Sequence, residues 1–132
     1  MKKILLSFSL IVLSACADRP FESTQVIYNE SFIKPGAATS QIRVHRVKQL
    51  TGSALGDDCP LIVSVDGIEA AGLQQNQYVD LYLKNGNHSI SVRFKCALTS
   101  WKKSLNILAD GSYAEYQAES GGVGQYRLWQ TR

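Results

Sequence analysis

Three cysteines, two histidines and eleven carboxylates are the side chains of this 132-residue sequence whose chemistry goes beyond packing. His45 and His88 stand 43 positions apart with no Cys-x-x-Cys beside them, which is no recognisable metal-ligand spacing. His88 lies on the apolar parity of its segment just after Asn85-Gly86, so its ring is placed to cap a turn and bond backbone. His45 shares a face with Arg43, the pattern of a solvated strand face. Asp66 and Asp110 each precede a glycine, which makes them turn residues before it makes them an acid/base pair. Ser120-Gly121-Gly122-Val123-Gly124 is rich enough in glycine for a phosphate cradle, but a strand-like Tyr126-Arg127-Leu128-Trp129 follows where a helix N-terminus is needed. No Gly-x-Ser-x-Gly elbow occurs, and no Ser-x-x-Lys in a supporting context. The chemistry-bearing residues therefore predict no catalytic set, no metal and no cofactor.

The cysteines carry more information. Lys2 and Lys3 precede the uncharged apolar run of residues 4–15, the anatomy of a secretory signal peptide. As a helix this run would reach about 18 Å, well short of a ~30 Å hydrocarbon core. Leu13-Ser14-Ala15-Cys16 at its end resembles the lipobox of bacterial lipoproteins, in which the cysteine is acylated and becomes the first mature residue. That resemblance implies a membrane partner reached through a lipid anchor at Cys16, and more than one acyl chain makes such anchoring stable. In enterobacterial lipoproteins an Asp directly after the cysteine favours inner-membrane retention. Here Ala17 holds that place and Asp18 follows, so the outer membrane, on its periplasmic side, is the expected address.

Setting the leader aside also resets the charge. The chain has 14 basic and 11 acidic residues, and two of the basic ones are Lys2 and Lys3. Residues 16–132 are then close to neutral, which argues against a nucleic-acid partner. All ten glycines and all three prolines fall in this part, the punctuation of a short-stranded, turn-rich domain. Residues 16–40, with Pro20, Pro35 and Gly36, lack sustained periodicity and read as the lipidated cysteine and a tether, with one short strand around residues 25–33. Residues 41–132 read as the domain.

Within it the apolar positions alternate. His88, Ile90, Val92, Phe94, Cys96 and Leu98 share one parity, and Ser89, Ser91, Arg93 and Lys95 the other, as in a strand with one buried face. Val79, Leu81 and Leu83 alternate with Tyr78, Asp80 and Tyr82. Asn85-Gly86 between these runs predicts a type I′ hairpin of residues 77–84 with 87–98. Leu61, Val63 and Val65 end at a second turn signal, Asp66-Gly67. Ile42 and Val44 oppose Arg43 and His45, while Val47 falls out of phase, which suggests twist or a bulge at Arg46. Leu105, Ile107, Tyr113 to Ala118 and Tyr126 to Thr131 complete six or seven strands of a small antiparallel β-sandwich, with a small closed β-barrel as the alternative. Cys59 and Cys96 both fall on core-facing parities, and in an oxidising compartment they predict a disulfide. Closing that span stabilises by about 4 kcal/mol in the chain-entropy model.

Val63-Ser64-Val65-Asp66-Gly67, then Leu73 and Tyr78, then Leu81, Leu83, Gly86 and His88, resemble the pattern of PEGA-like and DUF2846-like domains, an immunoglobulin-like sandwich type. The resemblance covers residues 42–94, and Asn85 departs from it where many relatives have Pro before the Gly. It implies a small envelope-attached sandwich that binds or supports, and it supplies no catalytic residue.

Two surfaces are candidates for that binding. Arg43 and His45 on one strand, with Arg93 and Lys95 on another, would form a basic face if the two strands share a sheet. Trp101-Lys102-Lys103 sets an aromatic ring beside two cations between strands. The expected function is a noncatalytic lipoprotein accessory to a larger envelope assembly, with an envelope protein as its partner. The alternative is a periplasmic inhibitor resembling the lipoprotein lysozyme inhibitors, with residues 99–104 as the inserting loop.

Overall fold

The computed structural model describes residues 20–48, 59–120 and 125–132. Cys16 and its lipobox lie outside the described residues, as does the glycine run 121–124. Among the described residues nine strands form two sheets. The first five are β1 (Glu22–Ser23), β2 (Thr39–Arg46), β3 (Leu61–Val65), β4 (Ile68–Leu73) and β5 (Gln77–Lys84). The rest are β6 (Gly86–Phe94), β7 (Lys103–Ala109), β8 (Ala114–Ser120) and β9 (Tyr126–Gln130). One sheet has the order β1-β5-β2-β8-β9 and the other β4-β3-β6-β7. The two are separate and packed face to face, so the chain is sandwich-like and the closed barrel does not hold.

Each sheet turns one face inward. Ile42, Val44, Val79, Leu81, Leu83, Tyr116, Ala118 and Leu128 from the first sheet meet Leu61, Val63, Val65, Ile90, Val92, Phe94 and Ile107 from the second, all buried. Period-two alternation is what puts them there, because successive strand side chains point to opposite faces. The first sheet is mixed: β2 runs antiparallel to β5 but parallel to β8, and β1 is parallel to β5.

Four expectations are corrected by this arrangement. The first is the hairpin of residues 77–84 with 87–98. β5 pairs with β1 and β2, β6 pairs with β3 and β7, and Asn85-Gly86 carries the chain from one sheet to the other. Gly86 has φ +133°, and Asn85 is not in the left-handed region that a type I′ turn demands. Asn85 is held otherwise: its N–H donates to the Ala38 carbonyl and its Oδ1 accepts from the Ser40 hydroxyl. The type I′ geometry belongs to Asp66-Gly67, with φ of +50° and +81°, which joins β3 to β4. Second, β6 stops at Phe94, so the parity rule does not reach Cys96 or Leu98, both of which are exposed.

Third, β2 has no bulge at Arg46. Its alternation runs unbroken and places the Arg46 side chain inside, 1 % exposed. Fourth, residues 20–38 are laid onto the sandwich. β1 extends the first sheet, Ile27 bridges to Ala71, and Tyr28 N–H donates to the Ala70 carbonyl. A 3-10 turn at Glu30–Ile33, capped by Asn29, packs Phe32 and Ile33 against the core. The tether expected to end at residue 40 is thus, from Pro20 onward, a cover for the edges of β4 and β5.

Candidate functional site

Among the described residues the covering segment leaves the opposite side of the sandwich open, where β7 and β9 are the edge strands of their sheets. The upper part of this gap is closed by Tyr126, whose hydroxyl accepts from the Phe94 N–H at 3.0 Å while the two rings meet at 5.7 Å. Below it lies a cleft of about 480 Å³. That volume lies in the range of small-ligand and side-chain pockets, roughly 300–1,000 Å³. Ile42, Ile107, Tyr116 and Leu128 form its buried floor, and Asn106, Asp110, Ser112 and Gln130 supply polar groups around it. Tyr113 and Trp129 also line it.

The titratable side chains of this cleft are governed by burial and by short local bonds. Tyr113 donates from its hydroxyl to Glu115 Oε1 at 2.6 Å. Burial and that bond push the Tyr113 pKa up to about 12. Burial, with the Asp110 charge nearby, likewise raises Tyr116, so both phenols stay protonated at neutral pH. Asp110 is lowered by the hydroxyl and the N–H of Ser112, which both bond its Oδ1.

The other titratable clusters are occupied by the fold. His88 Nδ1 is 2.7 Å from Asp66 Oδ2 and Nε2 is 2.6 Å from the Lys84 carbonyl. Both partners offer acceptor oxygens, so the geometry favours a ring that donates from both nitrogens. Burial pulls its pKa down, but the bonds to Asp66 and to the Lys84 carbonyl outweigh that and raise it. The Ser89 N–H and then His88 hold Asp66 below the usual carboxylate range. His88 thereby links the β3–β4 turn to the sheet-crossing bend.

Arg43 makes a two-point pair with Asp80, Nε to Oδ1 at 2.8 Å and Nη2 to Oδ2 at 3.0 Å, and lies 4.0 Å above the Tyr78 ring. Phe21 stacks on Tyr78 and meets His45 edge-on, while His45 Nε2 reaches Asn76 Oδ1 at 2.9 Å. This group holds the start of the described chain onto β5 and β2. Arg93 and Lys95 belong to the other sheet side, so the condition for a shared basic face with Arg43 is not met. Lys95 instead faces the Tyr28 ring, 5.7 Å from its centroid.

Cys59 and Cys96 form a disulfide with Cα atoms 5.8 Å apart. It ties Cys96, near the start of residues 95–102, to Cys59 ahead of β3, and in that loop Trp101 is 75 % exposed and Lys102 and Lys103 are exposed beside it. The structure thus keeps Arg43 apart from Arg93, leaves Trp101, Lys102 and Lys103 together, and adds the β7–β9 cleft, which the sequence reading missed. Among the described residues no group of three His, Cys, Asp or Glu could hold a metal ion, and no helix is long and apolar enough to cross a membrane. No protein-family model matches the chain, and no curated protein matches it in sequence.

Proposed function

We propose that this chain is a noncatalytic, lipid-anchored binding module of a bacterial envelope, of the immunoglobulin-like type its turn pattern resembles, and that its partner enters the β7–β9 cleft. The observation that supports this reading is the contrast between the two kinds of polar site. His88, Asp66, Arg43 and Asp80 are bound to one another or to backbone in ways that hold the fold. The cleft combines an apolar floor with exposed Asn106 and Gln130 at a sheet edge that no other described strand covers. A floor that rewards burial and amides that both donate and accept suit an extended protein segment, which can add along an edge strand while its side chains fill the pocket.

Gln130→Trp tests the reading. Gln130 is exposed, and its pairing with Tyr116 places it on the inward parity of β9, so an indole there obstructs the cleft without repacking the core. In cells treated with a short crosslinker, the wild type is expected to yield a discrete complex that Gln130→Trp loses while its unfolding midpoint is retained. An equally abundant complex from the obstructed variant overturns the assignment.

A further inference from the structure

The start of the described chain, at Pro20, and the Trp101 loop come together at one end of the sandwich. β5 ends at Lys84 and β6 begins at Gly86, so the start of β5 and the end of β6 lie at the opposite pole. β1 pairs with the start of β5, Glu22 with Gln77, which brings Pro20 and Phe21 to that pole. Residues 95–102 leave from the end of β6 at the same pole, and β7 returns from it with Lys103 opposite Val92. The two sheets are tied there directly, since the Arg46 guanidinium at the end of β2 lies 4.9 Å from the Phe94 ring centroid.

The loop has the composition of a surface made for lipid. Leu98 is fully exposed and Trp101 is 75 % exposed, with no described partner for either apolar side chain. Residues 95–109 contain Lys95, Lys102 and Lys103 and no carboxylate. The base is fixed by the Cys59–Cys96 disulfide and by the Lys95 N–H donating to the Pro60 carbonyl, so the two apolar side chains project from a held frame. Tryptophan with neighbouring lysines favours the headgroup boundary, the ring at the interface beside the upper acyl chains and the ammonium groups among anionic headgroups. The reach of the anchor decides between bilayer and distant partner: three residues lie between Cys16 and Pro20, and these four steps span at most about 14 Å of extended chain.

We infer that the Trp101 loop is a second, non-covalent membrane contact: Leu98 and Trp101 insert at the surface of an anionic bilayer and Lys102 and Lys103 pair with its headgroups. This rests on the anchoring proposed above. It orients the sandwich with the 95–102 loop against the membrane and sets the long axis of the β7–β9 cleft running away from it, open to a partner.

The test uses the full chain purified from membranes and reconstituted into phosphatidylcholine vesicles with brominated acyl chains, with or without phosphatidylglycerol. The chain has two tryptophans, so Trp129→Phe isolates Trp101 and Trp101→Phe isolates Trp129. Trp101 emission should be quenched several-fold more than that of Trp129, which sits further along β9 from that pole. The excess should grow with phosphatidylglycerol and shrink in Lys102→Glu/Lys103→Glu, which remains vesicle-bound through Cys16. Equal, weak quenching of both tryptophans in vesicle-bound protein overturns the inference and leaves the anchoring intact. A chain that carries no acyl group at Cys16 overturns the anchoring; if its Trp101 is still quenched by added vesicles the loop contact stands, and if not, both fall.

Discussion

Arg46 offers the sharpest test of how the sandwich is held, because replacing it sets two large effects against each other. Its guanidinium is buried, donates from Nη1 to the Leu73 carbonyl at 3.0 Å and the Cys59 carbonyl at 3.3 Å, and lies over Phe94. Arg46→Met keeps most of the apolar stem and removes the donors. Leaving a buried carbonyl unpaired costs about 1–3 kcal/mol, so two amount to roughly 2–6 kcal/mol. Loss of the contact with Phe94 adds about 0.5–2 kcal/mol. Relief from burying a charge works the other way, and in some proteins apolar replacement of buried ions is neutral or stabilising by about 1–4 kcal/mol. Here two of the partners are main-chain carbonyls that stay buried whatever occupies position 46, so the loss should win by about 2–4 kcal/mol. Urea unfolding followed by tryptophan fluorescence reads this as a lower midpoint at unchanged slope. Arg46→Lys, which can reach one carbonyl at a time, should fall between. A Met variant as stable as the wild type would refute the reasoning and make the guanidinium a tolerated passenger in the core.

Three further outcomes follow from the geometry. Cys59→Ala/Cys96→Ala, measured in the same urea assay, should lose about 4 kcal/mol, the chain-entropy value for a bridge with sequence separation 37. Gly72→Ala should cost about 1–3 kcal/mol by overpacking, because a Cβ at that site would sit 3.2 Å from both Pro60 Cβ and Val26 Cγ1 and 3.0 Å from Tyr28 Oη. The raised His88 pKa means its contribution is complete below about pH 6.5 and is lost as pH rises through the folded value. The lowered Asp66 pKa means its contribution is complete above about pH 3.8 and is lost as pH falls through the folded value. A stability profile should therefore show the pair at full strength between these limits, and His88→Gln should abolish the decline on the alkaline side. An unchanged alkaline decline in the variant would assign it to another group.

Strand faces were readable because alternation reports burial directly: Ile42, Val44, Ile90 and Val92 all point where their parity says. Strand neighbours were not, because the same alternation is satisfied whether two runs lie side by side or face each other across the core. Asn85-Gly86 illustrates the difference, since the dipeptide that favours a hairpin is spent on a sheet-to-sheet bend fixed by Ser40. β4 escaped notice because Ala70, Ala71 and Gly72 are poor strand formers, and the reason for such small residues is three-dimensional: Val26, Tyr28 and Pro60 crowd against Gly72. Arg46 was misjudged because a charge on the inward parity looks like a broken pattern until its carbonyl partners, 13 and 27 residues away, are in view. The cleft was invisible for a similar reason, being assembled from β2, β7, β8 and β9. The disulfide was legible from the cysteine count, whereas parity placed Cys59 but not Cys96, which lies beyond its strand and is exposed.

Photo-crosslinking from single positions in intact cells tests the central claim most directly. A photoreactive residue at Asn106, on the rim of the cleft, is expected to give one discrete adduct with an envelope protein. The same residue at Gln41, on the β2 face of the first sheet, is expected to give none. An adduct from Gln41 with none from Asn106 would contradict the account and move the binding surface to the outer face of that sheet.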